Sequence, residues 1–186
     1  MTNPKQDGPA YLPGDPNPAE RTRRMIRVDH AGEFGAVRIY EGQLSVMRGR
    51  ASEPVIRHML DQEKQHLKTF ETLIAEHHVR PTIFQPLWRV AGFALGAVTA
   101  LMGEKTAVAC TVAVEDVIDE HYQAQSKAMG EDEPALKSTI EKFRAEELEH
   151  RDAALAHGGG DAPGDPFLST AIKAGSRAAI WLSERF

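Results

Sequence analysis

Apolar positions along this chain recur at steps of three and four, not two. From Glu20 to Arg50 the stripe is Val37, Tyr40, Leu44 and Met47; from Ser52 to His78 it is Ile56, Met59, His66, Phe70, Leu73 and Ile74. That spacing follows one face of an α-helix. Leu87 to Met102 is apolar and rich in small residues, and Glu104 to Met129 reads as helix with a polar exit at Gly130–Glu133. A fifth helix starts at Pro134 and stops at Gly158-Gly159-Gly160, and Phe167 to Phe186 forms a short amphipathic end. Pro54, Pro81, Pro86, Pro134, Pro163 and Pro166 each fall where a helical pattern starts or stops. No run alternates with strand period. The pattern predicts an all-α domain over 20–186, with four long helices and two shorter ones. Residues 1–19 hold five prolines and are expected to form a flexible tail.

Composition narrows the class. With 186 residues, 41% hydrophobic and 26% charged, the chain reads as one soluble globular domain. A net charge of −5 and a pI near 5.9 argue against nucleic acid as a partner. The single cysteine, Cys110, excludes an internal disulfide, a Cys-rich zinc site and a rubredoxin-type iron centre, and reads as a small core residue. The first residues lack an apolar run, so no secretory signal is expected, and Asp7 and Asp15 fit a transit peptide poorly. The longest uncharged stretch, Val90 to Gly103, has 14 residues and is too short to span a bilayer.

The chemistry sits in two spaced pairs. Glu63 and His66, and again Glu147 and His150, are three residues apart, so each pair shares a helix face and can reach one metal. Either pair alone is weak. Their surroundings are more specific: Glu33 lies 30 residues before Glu63, and Glu115 lies 32 before Glu147. Each Glu-x-x-His helix therefore follows a helix with a candidate inward glutamate. Tyr40 and Gln43 follow Glu33 at the same intervals at which Tyr122 and Gln125 follow Glu115, as in a duplicated helix pair. Glu33 sits among Ala31, Gly32, Phe34, Gly35 and Ala36, and Glu115 ends an apolar run from Ala107. Carboxylates so placed are expected to be buried, and four together would repel unless a cation neutralised them. Ferritin-like four-helix bundles build dinuclear sites from this set, one Glu from each of two helices and Glu-x-x-His from the other two. The alternative is a set of solvated helix charges.

Weaker candidates surround these. His30, one turn before Glu33, is read as a hydrogen-bond partner of that carboxylate or as a partly buried histidine. Tyr122, two turns past Glu115, should face the interior near the mouth of the site, with His121 beside it; core packing is the alternative reading. Asp61, Asp119 and Arg144 are candidates to back the ligands. His58, His77, His78 and His157 read as incidental. Mixed carboxylate and imidazole ligation favours iron or manganese over structural zinc, and a metal pair suits dioxygen chemistry. No Gly-x-Gly-x-x-Gly nucleotide cradle is present, so electrons must come from outside or from the substrate. A ferritin-like iron oxidase, a Mn catalase and a non-enzymatic helical adaptor on a membrane share these features.

Four segments carry a closer likeness: Arg27–Glu33 (Arg-Val-Asp-His-Ala-Gly-Glu), Asp61–His66, Cys110–Glu115 and Glu146–His150, with the ending Ser183-Glu184-Arg185-Phe186. From Arg23 to Phe186 the chain resembles the demethoxyubiquinone hydroxylase family of ubiquinone biosynthesis. The resemblance implies a di-iron monooxygenase on a ferritin-like bundle, with a crossover apolar helix and a short C-terminal helix. It implies two irons per subunit held by Glu33, Glu63, His66, Glu115, Glu147 and His150, with Glu63 and Glu147 bridging. It further implies O2 as co-substrate and hydroxylation of the ring of a polyprenyl 3-demethoxyubiquinol in the penultimate step of the pathway. Electrons would come from NADH or reduced quinone, with His121 and Tyr122 on their route. A peripheral place on the cytoplasmic face of a bacterial inner membrane, and a lipid-binding partner protein, are also implied. The residues agree on the membrane: Val90–Met102 is a soft apolar helix bounded by Trp88, Arg89 and Lys105, the pattern of an interfacial segment. The alternative is a crossover helix that only covers the bundle.

Overall fold

The computed structural model describes residues 16–129, 133–162 and 165–186. Most of the expected tail, most of the polar exit after Met129, and Pro163 lie outside them. Among the described residues the chain is six helices and no strand: α1 (Pro18–Val46), α2 (Glu53–Glu76), α3 (Gln85–Met102), α4 (Glu104–Met129), α5 (Pro134–Ala156) and α6 (Asp165–Arg185).

Local chemistry sets the ends. The Asn17 side chain accepts the Glu20 N–H at 2.9 Å, and Pro18 opens α1 where no amide donor is needed. Proline likewise stands in the first turn of α2, α3 and α5. α2 stops without a glycine. His78 takes φ +51°, and Val79 N–H reaches back to Ile74 O at 2.9 Å, so histidine fills the left-handed position that glycine usually occupies.

α1 pairs with α2 and α4 with α5 in a four-helix bundle; α3 crosses α1, and α6 lies against α4 and α1. Two apolar clusters fill the bundle. One holds Val37, Leu44, Met47, Ile56, Met59 and Val108; the other holds Ile26, Phe70, Met129, Leu136, Ile140 and Phe143. A belt of buried polar side chains lies between them along each helix. A third cluster, with Cys110, Val114 and Ile172, joins α4 to α6; burial there pushes the Cys110 thiol up to about 12. Cys110 is thus the small core residue that the sequence suggests.

Candidate metal centre

Glu33 on α1, Glu63 and His66 on α2, Glu115 on α4, and Glu147 and His150 on α5 all converge between the two apolar clusters, each at most 4% exposed. Glu33, Glu63, His66 and Glu147 each offer a donor atom within 4.8 Å of the others. Glu63, Glu115, Glu147 and His150 do the same, so Glu63 and Glu147 belong to both sets. His66 turns Nδ1 to Glu147 at 3.1 Å and to Glu33 at 3.4 Å; His150 turns Nδ1 to Glu147 at 3.0 Å and to Glu63 at 3.2 Å. Both carboxylate oxygens of Glu63 are buried and accept no hydrogen bond. A carboxylate left so is stable only beside a cation or as the neutral acid, and the donor set around it fits a pair of divalent cations.

The electrostatics say the same. Burial, then the neighbouring carboxylates, raise the pKa values of Glu63 and Glu115 well above the ordinary range. Burial would raise Glu147 too, but His150 and His66 outweigh it and hold Glu147 at about 2. Burial disfavours the charged form of His66, and Glu147 and Glu33 overturn this, holding it at about 11.

A pH dependence of the metal-free protein follows. Raised groups stabilise the fold below their unfolded pKa and lose that contribution as pH rises through the folded value. Glu63, Glu115 and His66 therefore favour the fold more at about pH 5.5 than at about pH 8. His30, whose pKa burial lowers, opposes this below about pH 6.5. Glu147 has no part here, since its contribution is lost only as pH falls from about 4.5 toward 2. The metal-free protein should melt higher at the lower pH, and Glu63→Gln should flatten the slope. A melting temperature that rises with pH would contradict this account.

The duplicated tyrosines cross. The Tyr40 hydroxyl donates to Glu115 at 2.7 Å, and the Tyr122 hydroxyl donates to Glu33. Tyr122 lies two turns from Glu115 along α4 and lines the cleft, as its spacing suggests, and there its hydroxyl meets Glu33 of α1. α1 and α4 run antiparallel, so each tyrosine stands opposite the glutamate of the other half. His121 does not touch a candidate ligand; its Nε2 lies 3.0 Å from Asp29, which also accepts from Gln125 Nε2 at 2.8 Å. The sequence reading missed Asp29, which is buried and whose pKa is raised, chiefly by burial. His30 is buried with Nδ1 unpartnered and bonds none of the six residues. Asp61 is exposed and pairs with Lys64 at 3.7 Å, away from the cluster. Asp119 and Arg144 pair with each other at 2.6 Å near the surface.

A cavity of about 490 Å³ opens between α1, α3, α4 and α6. Its walls are apolar: Val28, Ile39, Leu95, Val114, Ile118 and Ile180 among them, with Gly32, Gly35 and Gly175 giving room. It shares Val28, Gly32, Ala36, Ile118 and Ile180 with a narrow cleft that ends on Glu33, Glu63, Glu115, Glu147, His121 and Tyr122. An apolar passage thus meets the carboxylates.

The family model for "Ubiquinone biosynthesis protein COQ7" matches residues 20–183. The chain belongs to the COQ7 family. It is 59% identical over 175 residues to the 3-demethoxyubiquinol 3-hydroxylase of Rhodospirillum rubrum, covering 94% of this chain and 82% of that one. It is 53% identical over 166 residues to the human NADPH-dependent 3-demethoxyubiquinone 3-hydroxylase, covering 87% and 76%. The Saccharomyces cerevisiae 5-demethoxyubiquinone hydroxylase is 42% identical over 179 residues. The likeness noted in the four sequence segments is thus a family membership, and in this COQ7 chain those segments carry all six converging side chains.

Proposed function

We propose that this COQ7 chain is a 3-demethoxyubiquinol 3-hydroxylase that uses O2 and a pair of irons. The observation that carries the reading is an apolar cavity beside a cleft lined by the four buried glutamates that cluster with His66 and His150, in a chain so similar to named hydroxylases. Glu33, Glu63, His66 and Glu147 would hold one iron; Glu63, Glu115, Glu147 and His150 would hold the other, with Glu63 and Glu147 bridging. Four carboxylates match the charge of two divalent cations, which relieves the repulsion around Glu63. When bound, the iron pair supplies the electrons that activate O2. One oxygen atom enters the ring and the other leaves as water, so each turnover takes two electrons and two protons; a reduced nicotinamide supplies both electrons and one proton as a hydride, directly or through the quinone, and water supplies the second proton.

The chain's own residues position and protect. The cavity walls exclude water from the prenyl tail, and the ring reaches the cleft beside Glu33. Tyr122 keeps its proton on Oη against Glu33, and Asp29 orients His121 at the same cleft. His121 and Tyr122 are the residues we assign to proton or electron passage. This chemistry is assigned to one domain, 20–186, whose first helix reaches back to Pro18 and its Asn17 cap, short of the expected tail boundary at residue 19. Iron oxidation or peroxide disproportionation would have no use for an apolar cavity of this size.

Anaerobic incubation of the purified protein with Fe(II), a demethoxyubiquinone and NADH or NADPH, followed by O2, should give a product heavier by one oxygen. An unchanged quinone, with the iron bound, would sink the reading.

The substrate's bilayer home fits the surface. Leu87, Val90, Phe93, Val98, Leu101 and Met102 of α3 are exposed, with Phe167, Trp181 and Phe186 on or beside α6. No helix among the described residues is long and apolar enough to cross a membrane. We assign this face to peripheral seating on the cytoplasmic side of a bacterial inner membrane, where a lipid-binding partner could deliver the quinol. Leu95 lines the cavity, so the outer face is tested with Val90→Ser and Leu101→Ser. Each large apolar side chain removed from lipid costs roughly 1.5–3 kcal/mol, so the pair should cut liposome binding tens-fold or more. Unchanged co-sedimentation would leave α3 as bundle cover.

A further inference from the structure

The two halves share the Glu, Tyr and Gln intervals and the Glu-x-x-His pair, and two neighbouring positions set them apart: the first half carries the carboxylate at one, the second half at the other. Four residues before Glu33 stands Asp29, which accepts from Gln125; four before Glu115 stands Thr111, whose hydroxyl is 3.4 Å from Gln43. The residue before Glu147 is Glu146, and the residue before Glu63 is Gln62. These last two perform the same task across the bundle. His66 turns Nε2 away from the cluster to Glu146 Oε2 at 2.7 Å. His150 turns Nε2 to Gln62 Oε1 at 3.0 Å. One imidazole is therefore backed by a carboxylate and the other by a neutral amide. Lys142 is 3.7 Å from the other Glu146 oxygen, on its exposed side, and leaves Oε2 to the histidine.

We infer that Glu146 and Gln62 are positioning residues that make the two metal positions unequal, the one at Glu33 and His66 being the tighter and more electron-rich. The inference rests on the proposed metal pair and adds a rank order to it. A carboxylate that accepts the far N–H of an imidazole fixes its orientation and makes the near nitrogen a stronger donor; an amide carbonyl does so less. Glu33 and Glu115 both line the cleft, but the tyrosines that bond them differ. Tyr122, the partner of Glu33, lines the cleft, whereas Tyr40, the partner of Glu115, is not among its lining residues.

The test is anaerobic Fe(II) titration of the metal-free full chain by calorimetry, with Mössbauer spectra of the diferrous protein. Wild type should show two affinities and two resolved iron environments. Glu146→Gln should weaken the tighter site about 10–100-fold, leave the other unchanged and draw the two environments together. Gln62→Glu should tighten the weaker site, and the double exchange should restore two unequal sites in reversed order. Circular dichroism confirms that each variant is folded, and Gln62→Glu stands alone if Glu146→Gln does not fold. Equal sites in wild type, or unchanged affinities and spectra in the folded variants, would overturn the inference while leaving the metal pair in place. A wild-type chain that takes up no iron would overturn both.

Discussion

Glu63→Gln is expected to abolish turnover, to lower bound iron, and at the same time to raise the melting temperature of the metal-free protein. The combination follows from one side chain. Both Glu63 oxygens are buried and accept no hydrogen bond, and the side chain belongs to both clusters of candidate ligands. An amide has nearly the same shape but no charge, and it cannot bridge two cations. Loss of a ligand shared by both positions should exceed the tens- to hundred-fold cost of losing an outer partner, so activity should fall by more than about 100-fold. Without metal, the same change removes a carboxyl whose ionisation the core opposes. Burial and three neighbouring glutamates raise the Glu63 pKa, so ionised Glu63 destabilises the empty bundle. Activity is read by quinone mass, iron by metal analysis and stability by thermal melting of chelated protein. A variant with full iron and full activity would remove Glu63 from the centre. One that loses metal and also melts lower when empty would mean that Glu63 stabilises the apo fold.

The centre was legible because its ligands obey helical period within short windows. Glu63 with His66, and Glu147 with His150, need only one turn of helix, and the repeated tyrosine and glutamine intervals expose the duplication. All six side chains meet as that pattern requires. What periodicity cannot give is the partner across the bundle. Tyr122 was expected at the mouth because its spacing from Glu115 measures distance along one helix; it does line the cleft, but its bond to Glu33 on the antiparallel helix was not legible. Asp29 and His121 are 92 residues apart in sequence, and no local signal joins them. Glu146 and Gln62 each point away from their own helix's metal face, since one residue turns about 100° around a helix. They acquire a role only through the histidine of the neighbouring helix. Asp61 failed as a backing residue for the same reason: its turn of α2 faces solvent and Lys64. The α2 terminus was missed by two residues because a histidine, rather than a glycine, adopts the left-handed position.

Gly96→Ala should lower the melting temperature of the whole domain, although alanine is the better helix former. α3 crosses α1 at backbone contact. A Cβ at Gly96 would land on the Ile39 carbonyl oxygen, with Gln43 N only 3.0 Å away; a Cβ at Gly42 would meet the Phe93 carbonyl oxygen. Neither neighbour is a flexible side chain, so only separation of the two helices makes room. Alanine contributes about 0.5–1 kcal/mol of backbone entropy in a helix, against about 1–3 kcal/mol or more for overpacking. At roughly 2–4 °C per kcal/mol for a domain of this size, the net loss should be several degrees. The separation would also part Gly92 from Gly35 and Ile39, which adjoin where α3 crosses α1 in the cavity wall, so the KM for quinone should rise with the fall in stability. Gly35→Ala is the control: nothing lies within 4 Å of its added Cβ, so it should hold or raise the melting temperature and only narrow the cavity. A Gly96→Ala protein that melts as high as Gly35→Ala would mean that α3 lifts from α1 without cost. The quinone passage would then be a soft seam between helices, not a cavity of fixed width.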